Sequence, residues 1–171
     1  EHHSNAEHDG NQVKHVGYSE LGDPATVLEV KTEASRALGQ GEVRVTVLAA
    51  PINPSDLLQI AGDYGVDPVL PARPGSEGVG RVTEVSPDVQ ALKVGQLVLL
   101  ASGSTWAEEL VAPAAGFLPL PDLGPIGADV IEQLAMSTVN PLTALLMLTS
   151  FTDVAEGQWI AQSAANSAVG G

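Results

Sequence analysis

The sequence predicts a mixed β and α/β fold: a series of short β-strands, then two helices, then the opening strand of a parallel α/β sheet. Three observations predict it. Twelve prolines and eighteen glycines among 171 residues cut the chain into short elements. Apolar and polar residues alternate through Val43-Arg44-Val45-Thr46-Val47 and again through Arg81-Val82-Thr83-Glu84-Val85, the period of a half-buried strand. From Ile126 onward apolar residues recur at helical spacing instead.

Residues 1–12 read as a disordered polar tail. Val13 to Val30 reads as a hairpin: Val16-Gly17-Tyr18, a turn at Gly22-Asp23-Pro24, then Val27-Leu28-Glu29-Val30. Gly39-Gln40-Gly41-Glu42 is a turn before the strand at Val43–Val47. Asn53-Pro54-Ser55-Asp56 is a helix-start signal, a polar cap followed by proline, for a helix from about Ser55 to Ala61 that ends at Gly62. A proline-rich loop leads to Gly75-Ser76-Glu77-Gly78-Val79-Gly80 and the strand at Arg81–Val85. Further strands are expected at Leu97–Leu100, Thr105–Val111 and Gly116–Leu120. Two helices follow, Ile126–Ser137 and Pro141–Ser150, divided at Asn140-Pro141 because proline suits a helix start and breaks an interior. Gln158-Trp159-Ile160-Ala161-Gln162 is an apolar strand feeding a small-residue turn at Ser163–Gly171. Such a turn places backbone N–H groups against a dinucleotide pyrophosphate. The division is a strand-rich domain over 13–125 and the incomplete start of a nucleotide-binding domain over 126–171.

Composition narrows the function. An apolar fraction of 44% marks a folded chain, and 4% aromatics leave Val, Leu, Ile and Ala to fill its core. The net charge is −14, with no basic residue after Lys93, which excludes a nucleic-acid binder. No cysteine is present, so disulfides, thiolate zinc sites and a cysteine nucleophile are excluded. His2, His3, His8 and His15 all lie near the N-terminus and read as part of a polar tail rather than a metal site. Residues 1–15 lack the apolar segment of a secretory signal. Glu132, Gln133, Asn140 and Pro141 interrupt the most apolar stretch, so no membrane span is expected. The expected location is the cytoplasm.

The motifs Asn53-Pro54-Ser55-Asp56, Gly62-Asp63-Tyr64-Gly65, Gly75-Ser76-Glu77-Gly78-Val79-Gly80, Val94-Gly95-Gln96-Leu97-Val98 and Asn166-Ser167-Ala168-Val169-Gly170 occur in order along the chain. Together they resemble the medium-chain dehydrogenase/reductase superfamily. The resemblance implies a GroES-like β-barrel catalytic domain joined to the truncated start of a Rossmann domain. Zinc alcohol dehydrogenases of that superfamily carry a Gly-His-Glu motif where this chain has Gly75-Ser76-Glu77. With that histidine and every cysteine absent, the resemblance is to a zinc-independent branch. Quinone oxidoreductases resemble this chain through the barrel, including a tyrosine near Tyr64. Asn140-Pro141-Leu142-Thr143-Ala144, the Asn166-Ser167 pair and Ser104-Thr105-Trp106 resemble instead the 2-enoyl-thioester reductases of mitochondrial-type fatty acid synthesis. Ser104 and Ala107 depart from that group's usual residues.

The resemblance implies NADPH as cofactor and an acyl thioester, of coenzyme A or acyl-carrier protein, as substrate. Such a reduction delivers a hydride to the β carbon and a proton to the α carbon, with hydrogen bonds holding the developing enolate. By its local pattern Tyr64 reads as a turn-packing aromatic with its hydroxyl in solvent; by resemblance it supplies the proton, because a phenol can act as a general acid. Asn140 is assigned to nicotinamide binding, and asparagine before proline is also an ordinary helix cap. Asn166, Ser167, Ala168 and Val169 match the pyrophosphate turn. Trp106 and Asn53 are candidates for the substrate pocket; Trp106 also suits a core, and Asn53 and Asp56 a helix start. Glu77 reads as a barrel residue. A full-length homodimer is implied, without a nucleic-acid or membrane partner. The enzymatic alternative is an NADPH:quinone or enone oxidoreductase. A reading of another class is an inactive fragment or an interaction module lacking the cofactor domain, expected to oligomerise through uncovered apolar surface.

Overall fold

The computed structural model describes residues 12–163, 165–167 and 169. Ala168 of the predicted turn lies outside them, as does the predicted tail except for Gln12, which opens the first strand. Among the described residues, seven strands form two antiparallel sheets. The strands β1 (Gln12–Gly17) and β2 (Glu29–Ala34) pair alone. The other five are β3 (Glu42–Ala49), β4 (Gly78–Val85), β5 (Leu97–Leu100), β6 (Glu109–Pro113) and β7 (Phe117–Pro119). They lie in the order β6-β3-β4-β5-β7. The small sheet is tied to the large one through β1: Val16 N–H donates to Trp106 O and Glu108 N–H to Lys14 O.

Alternation builds the core. Val43 and Val45 of β3 are fully buried, facing Val82, Val98, Leu100, Leu110 and Phe117. Arg44, between the two valines, turns the other way and binds Glu84 of β4 and Glu109 of β6, pinning β3 to both neighbours. Gly80 of β4 passes so close to β3 that a Cβ there would meet Thr46 O at 2.7 Å.

Four α-helices complete the fold among the described residues: α1 (Pro24–Val27), α2 (Pro54–Ala61), α3 (Ala128–Ala135) and α4 (Val139–Thr149). The expected start and end of α2 hold. Asn53 is its N-cap, and Asp56 Oδ2 accepts the Asn53 N–H at 2.9 Å. Gly62 ends it in the left-handed region at φ 86°.

Five expectations are corrected. Residues 24–27 form a helical turn rather than strand, because Asp23 accepts the Ala25 N–H ahead of Pro24–Val27, so β2 starts at Glu29. The ladder of β6 starts at Glu109, not Thr105, because Thr105 and Trp106 give their N–H groups to Gly75 and Pro74. The helices divide at 136–138, and Thr138, not Asn140, is the N-cap of α4. Pro141 is tolerated at the third helical position because first-turn N–H groups lack intrahelical acceptors. Residues 158–162 form no strand, since no strand pairs with them among the described residues, and Trp159 is 99% exposed. His15 belongs to no tail: it is buried in β1, where burial first and then Arg73 hold its imidazole below the ordinary value. No helix among the described residues is long and apolar enough to cross a membrane.

Candidate active site

The residues between β3 and β4, the loop before β6 and the start of α4 converge on Glu77. Their meeting begins with Gly75, whose φ of +99° is costly for a side chain. A Cβ there would meet Trp106 Cδ1 at 2.5 Å and Thr105 N at 2.9 Å. Bare backbone therefore lets the two loops touch. Thr105 is fully buried and donates its hydroxyl to Glu77 O at 2.7 Å. Trp106 donates its indole N–H to Pro51 O at 2.9 Å, across to the loop ahead of α2.

Glu77 is itself fully buried, just before β4. Its Oε1 accepts from Asn53 Nδ2 at 3.0 Å. Its Oε2 accepts from Thr138 N at 3.2 Å, Thr138 Oγ1 at 2.9 Å and Val139 N at 2.8 Å. A buried carboxylate is costly unless hydrogen-bonded. Here it meets the unsatisfied N–H groups of a helix start, where the helix dipole also favours negative charge.

Asn140 is the next residue. It is 9% exposed, and its Nδ2 has no hydrogen-bond partner among the described residues. An unsatisfied buried donor costs about 1–3 kcal/mol. Such a donor fits a ligand carbonyl, and the carboxamide of a nicotinamide offers one.

Of the residues predicted from sequence, Asn53, Trp106 and Asn140 are thus gathered around Glu77 and its neighbours. Trp106 also lines an open, largely apolar groove of about 470 Å³ with Val16, Val47, Ala49 and Ile52. Tyr64 stands in the loop after α2 and is 49% exposed. Ser167 and Val169 line a separate cleft of about 610 Å³ against Ala144, Met147 and Leu148 of α4, while Asn166 is exposed. A third cavity, of about 420 Å³, holds Arg36 and Arg73, whose guanidinium groups are already engaged by Glu42 and Glu33.

Sequence reasoning missed Thr105, Thr138 and the reach of Glu77. A signal existed for two of them. A carboxylate between Gly75 and Gly78 at the head of an apolar strand has little water to face, and Thr138 is itself a residue type preferred at helix N-caps.

Residues 39–122 match the family of alcohol dehydrogenase GroES-like domains. The strand-rich part of the molecule resembles that class, and the chain as a whole resembles the medium-chain dehydrogenase/reductase superfamily that carries it. Within the superfamily it resembles the zinc-independent enoyl reductases. It is 40% identical over 161 residues to the mitochondrial enoyl-[acyl-carrier-protein] reductase of Mus musculus, covering 93% of this chain and 42% of the mouse protein. The mitochondrial 2-enoyl thioester reductase Etr1p/Etr2p heterodimer from Candida tropicalis superposes with a TM-score of 0.81 at 31% identity, over 94% of this chain and 50% of that one. A complex of Etr1p with NADP and crotonyl-CoA superposes at 0.74 and 28% identity, over 86% and 46%. A putative NADPH:quinone reductase from Bacillus thuringiensis superposes at 0.76 and 32% identity, over 94% and 47%. The chain therefore spans less than half the length of the mouse relative it matches.

Proposed function

We propose that this chain is the catalytic-domain part of an NADPH-dependent reductase acting on the C=C bond of trans-2-enoyl thioesters. The observation that carries the reading is Asn140: a buried carboxamide with an unsatisfied N–H, held at the start of α4 beside the Trp106 loop. The similarity to enoyl reductases at 40% identity supports the choice of substrate.

When bound, NADPH supplies the hydride that adds to the β carbon of the enoyl group. The residues of this chain do the rest. Asn140 Nδ2 donates to the nicotinamide carboxamide and orients the ring. Asn166, Ser167 and Val169 belong to the segment that receives the pyrophosphate. Trp106 borders the acyl site, whose largely apolar groove suits a hydrocarbon chain, and Asn53 follows the groove-lining Ile52 directly in sequence. Tyr64, half-exposed on its loop, gives its phenolic proton to the α carbon. Residues 13–125 act as the catalytic domain and 126–171 as the beginning of the cofactor domain. The acyl carrier is coenzyme A or acyl-carrier protein, the assembly a homodimer, and the compartment the mitochondrion in a eukaryotic source.

The test is NADPH oxidation by the full-length protein, offered crotonyl-CoA or a simple quinone. Turnover of the thioester alone is the expected result; turnover of the quinone alone refutes the thioester reading. Tyr64→Phe should lower thioester turnover at least ~100-fold, the scale of a lost general acid, with NADPH affinity within about twofold of the parent. Unchanged turnover removes Tyr64 from the proton step.

A further inference from the structure

Four hydrogen-bond donations to one side chain, from two parts of the chain far apart in sequence, are more than a strand residue needs. Glu77 Oε1 takes the Asn53 carboxamide, and Oε2 takes both the N–H and the hydroxyl of Thr138 and the N–H of Val139. We infer that Glu77 is a positioning residue that clamps the first turn of α4 onto the loop bearing Asn53 and so sets where the Asn140 carboxamide meets a nicotinamide. This rests on the reading of NADPH as the ligand of Asn140.

The chemistry selects a carboxylate. Every partner donates, so the group must accept on both oxygens and carry no N–H of its own. Glutamine at 77 would fill the same volume yet turn an NH2 toward donors on one side. Aspartate, one methylene shorter, would not span Asn53 at 3.0 Å and Val139 at 2.8 Å together. Glu77 is fully buried, so water does not replace a lost partner. The backbone of the same residue is fixed as well, since Thr105 beside Trp106 donates to its carbonyl. One residue thereby ties the loop before α2, the loop before β6 and the start of α4, and Asn140 follows Val139 directly.

A double-substitution cycle on NADPH affinity separates positioning from mere support of the fold. The full-length parent, Glu77→Gln, Asn140→Ala and the double variant are titrated by nucleotide fluorescence, with circular dichroism to verify folding. If Glu77 acts through Asn140, each single change weakens NADPH about tenfold, and the double variant is within about twofold of Asn140→Ala alone. Losses that multiply to about a hundredfold overturn the inference, as does a Glu77→Gln affinity within about twofold of the parent. Thr138→Val, which removes one donation and keeps the backbone, should weaken binding about threefold in the parent and not at all in Asn140→Ala. That second cycle decides alone if Glu77→Gln does not fold; multiplicative losses there overturn the inference. Thioester turnover is read in parallel. A parent that binds NADPH and shows the coupling but leaves crotonyl-CoA untouched supports the clamp and refutes the enoyl reading. A parent that binds no NADPH overturns both.

Discussion

Arg44 offers the sharpest test of what holds the large sheet together. It sits on the polar side of β3, 14% exposed, with Nε 2.8 Å from Glu84 and Nη1 2.5 Å from Glu109. Nη2 also donates to Arg36 O at 2.7 Å. The two acidic partners differ: Glu109 is 11% exposed and Glu84 55%. Removing one member of a buried pair costs about 3–5 kcal/mol because the other charge is left behind. The Arg44–Glu109 pair is part-buried, and Glu109 keeps one donor, the Ser35 hydroxyl at 2.5 Å, which places Arg44→Ala at the low end, about 3 kcal/mol. With a urea slope of about 2 kcal/mol/M, the unfolding midpoint should fall by about 1.5 M. Cycles with Glu109→Ala and Glu84→Ala then apportion the loss. The Arg44–Glu109 coupling should exceed about 1.5 kcal/mol, and the exposed Arg44–Glu84 coupling should stay below about 1 kcal/mol. Equal couplings, or a loss under about 1 kcal/mol for Arg44→Ala, would refute the assignment of burial as the deciding variable.

Gly75→Ala should destabilise by at least ~2 kcal/mol in urea titration, because a Cβ at a φ of +99° also overlaps Trp106 and Thr105. The Glu42 carboxyl is held down to about 2 from 4.5, first by its hydrogen bond from Arg36 and then by the Gly39 N–H. A depressed folded value stabilises above the unfolded one, so this contribution is complete above about pH 5 and lost as pH falls from 4.5 toward 2. Arg36→Gln should therefore flatten the acid limb of the stability profile, measured by urea midpoints across that window; an unchanged slope would exclude the pair as its source.

What the sequence revealed was local. The alternation in β3 and β4 needs only neighbouring residues, and so does the Asn53-Pro54 start of α2 with its stop at Gly62. The boundary between α3 and α4 was misplaced because proline is harmless throughout a first turn, so Pro141 marks a region and not a residue. From sequence Glu77 reads as a barrel residue, because its partners lie 24 to 62 residues away, where no periodicity points. The stretch 158–162 shows the converse: strand propensity without a neighbouring strand gives no ladder. Trp106 and Asn140 were nameable from their motifs, but only the folded chain shows that one carboxylate lies between their elements.

The chain's two tryptophans give it a built-in pair of optical reporters. Trp106 is half-buried with its indole N–H fixed to Pro51, whereas Trp159 is bathed in solvent. Acrylamide should quench the second freely and the first poorly, leaving a blue-shifted emission that follows the Trp106 loop alone. Ligand entry into the groove beside Trp106 can then be watched by light without attaching a dye.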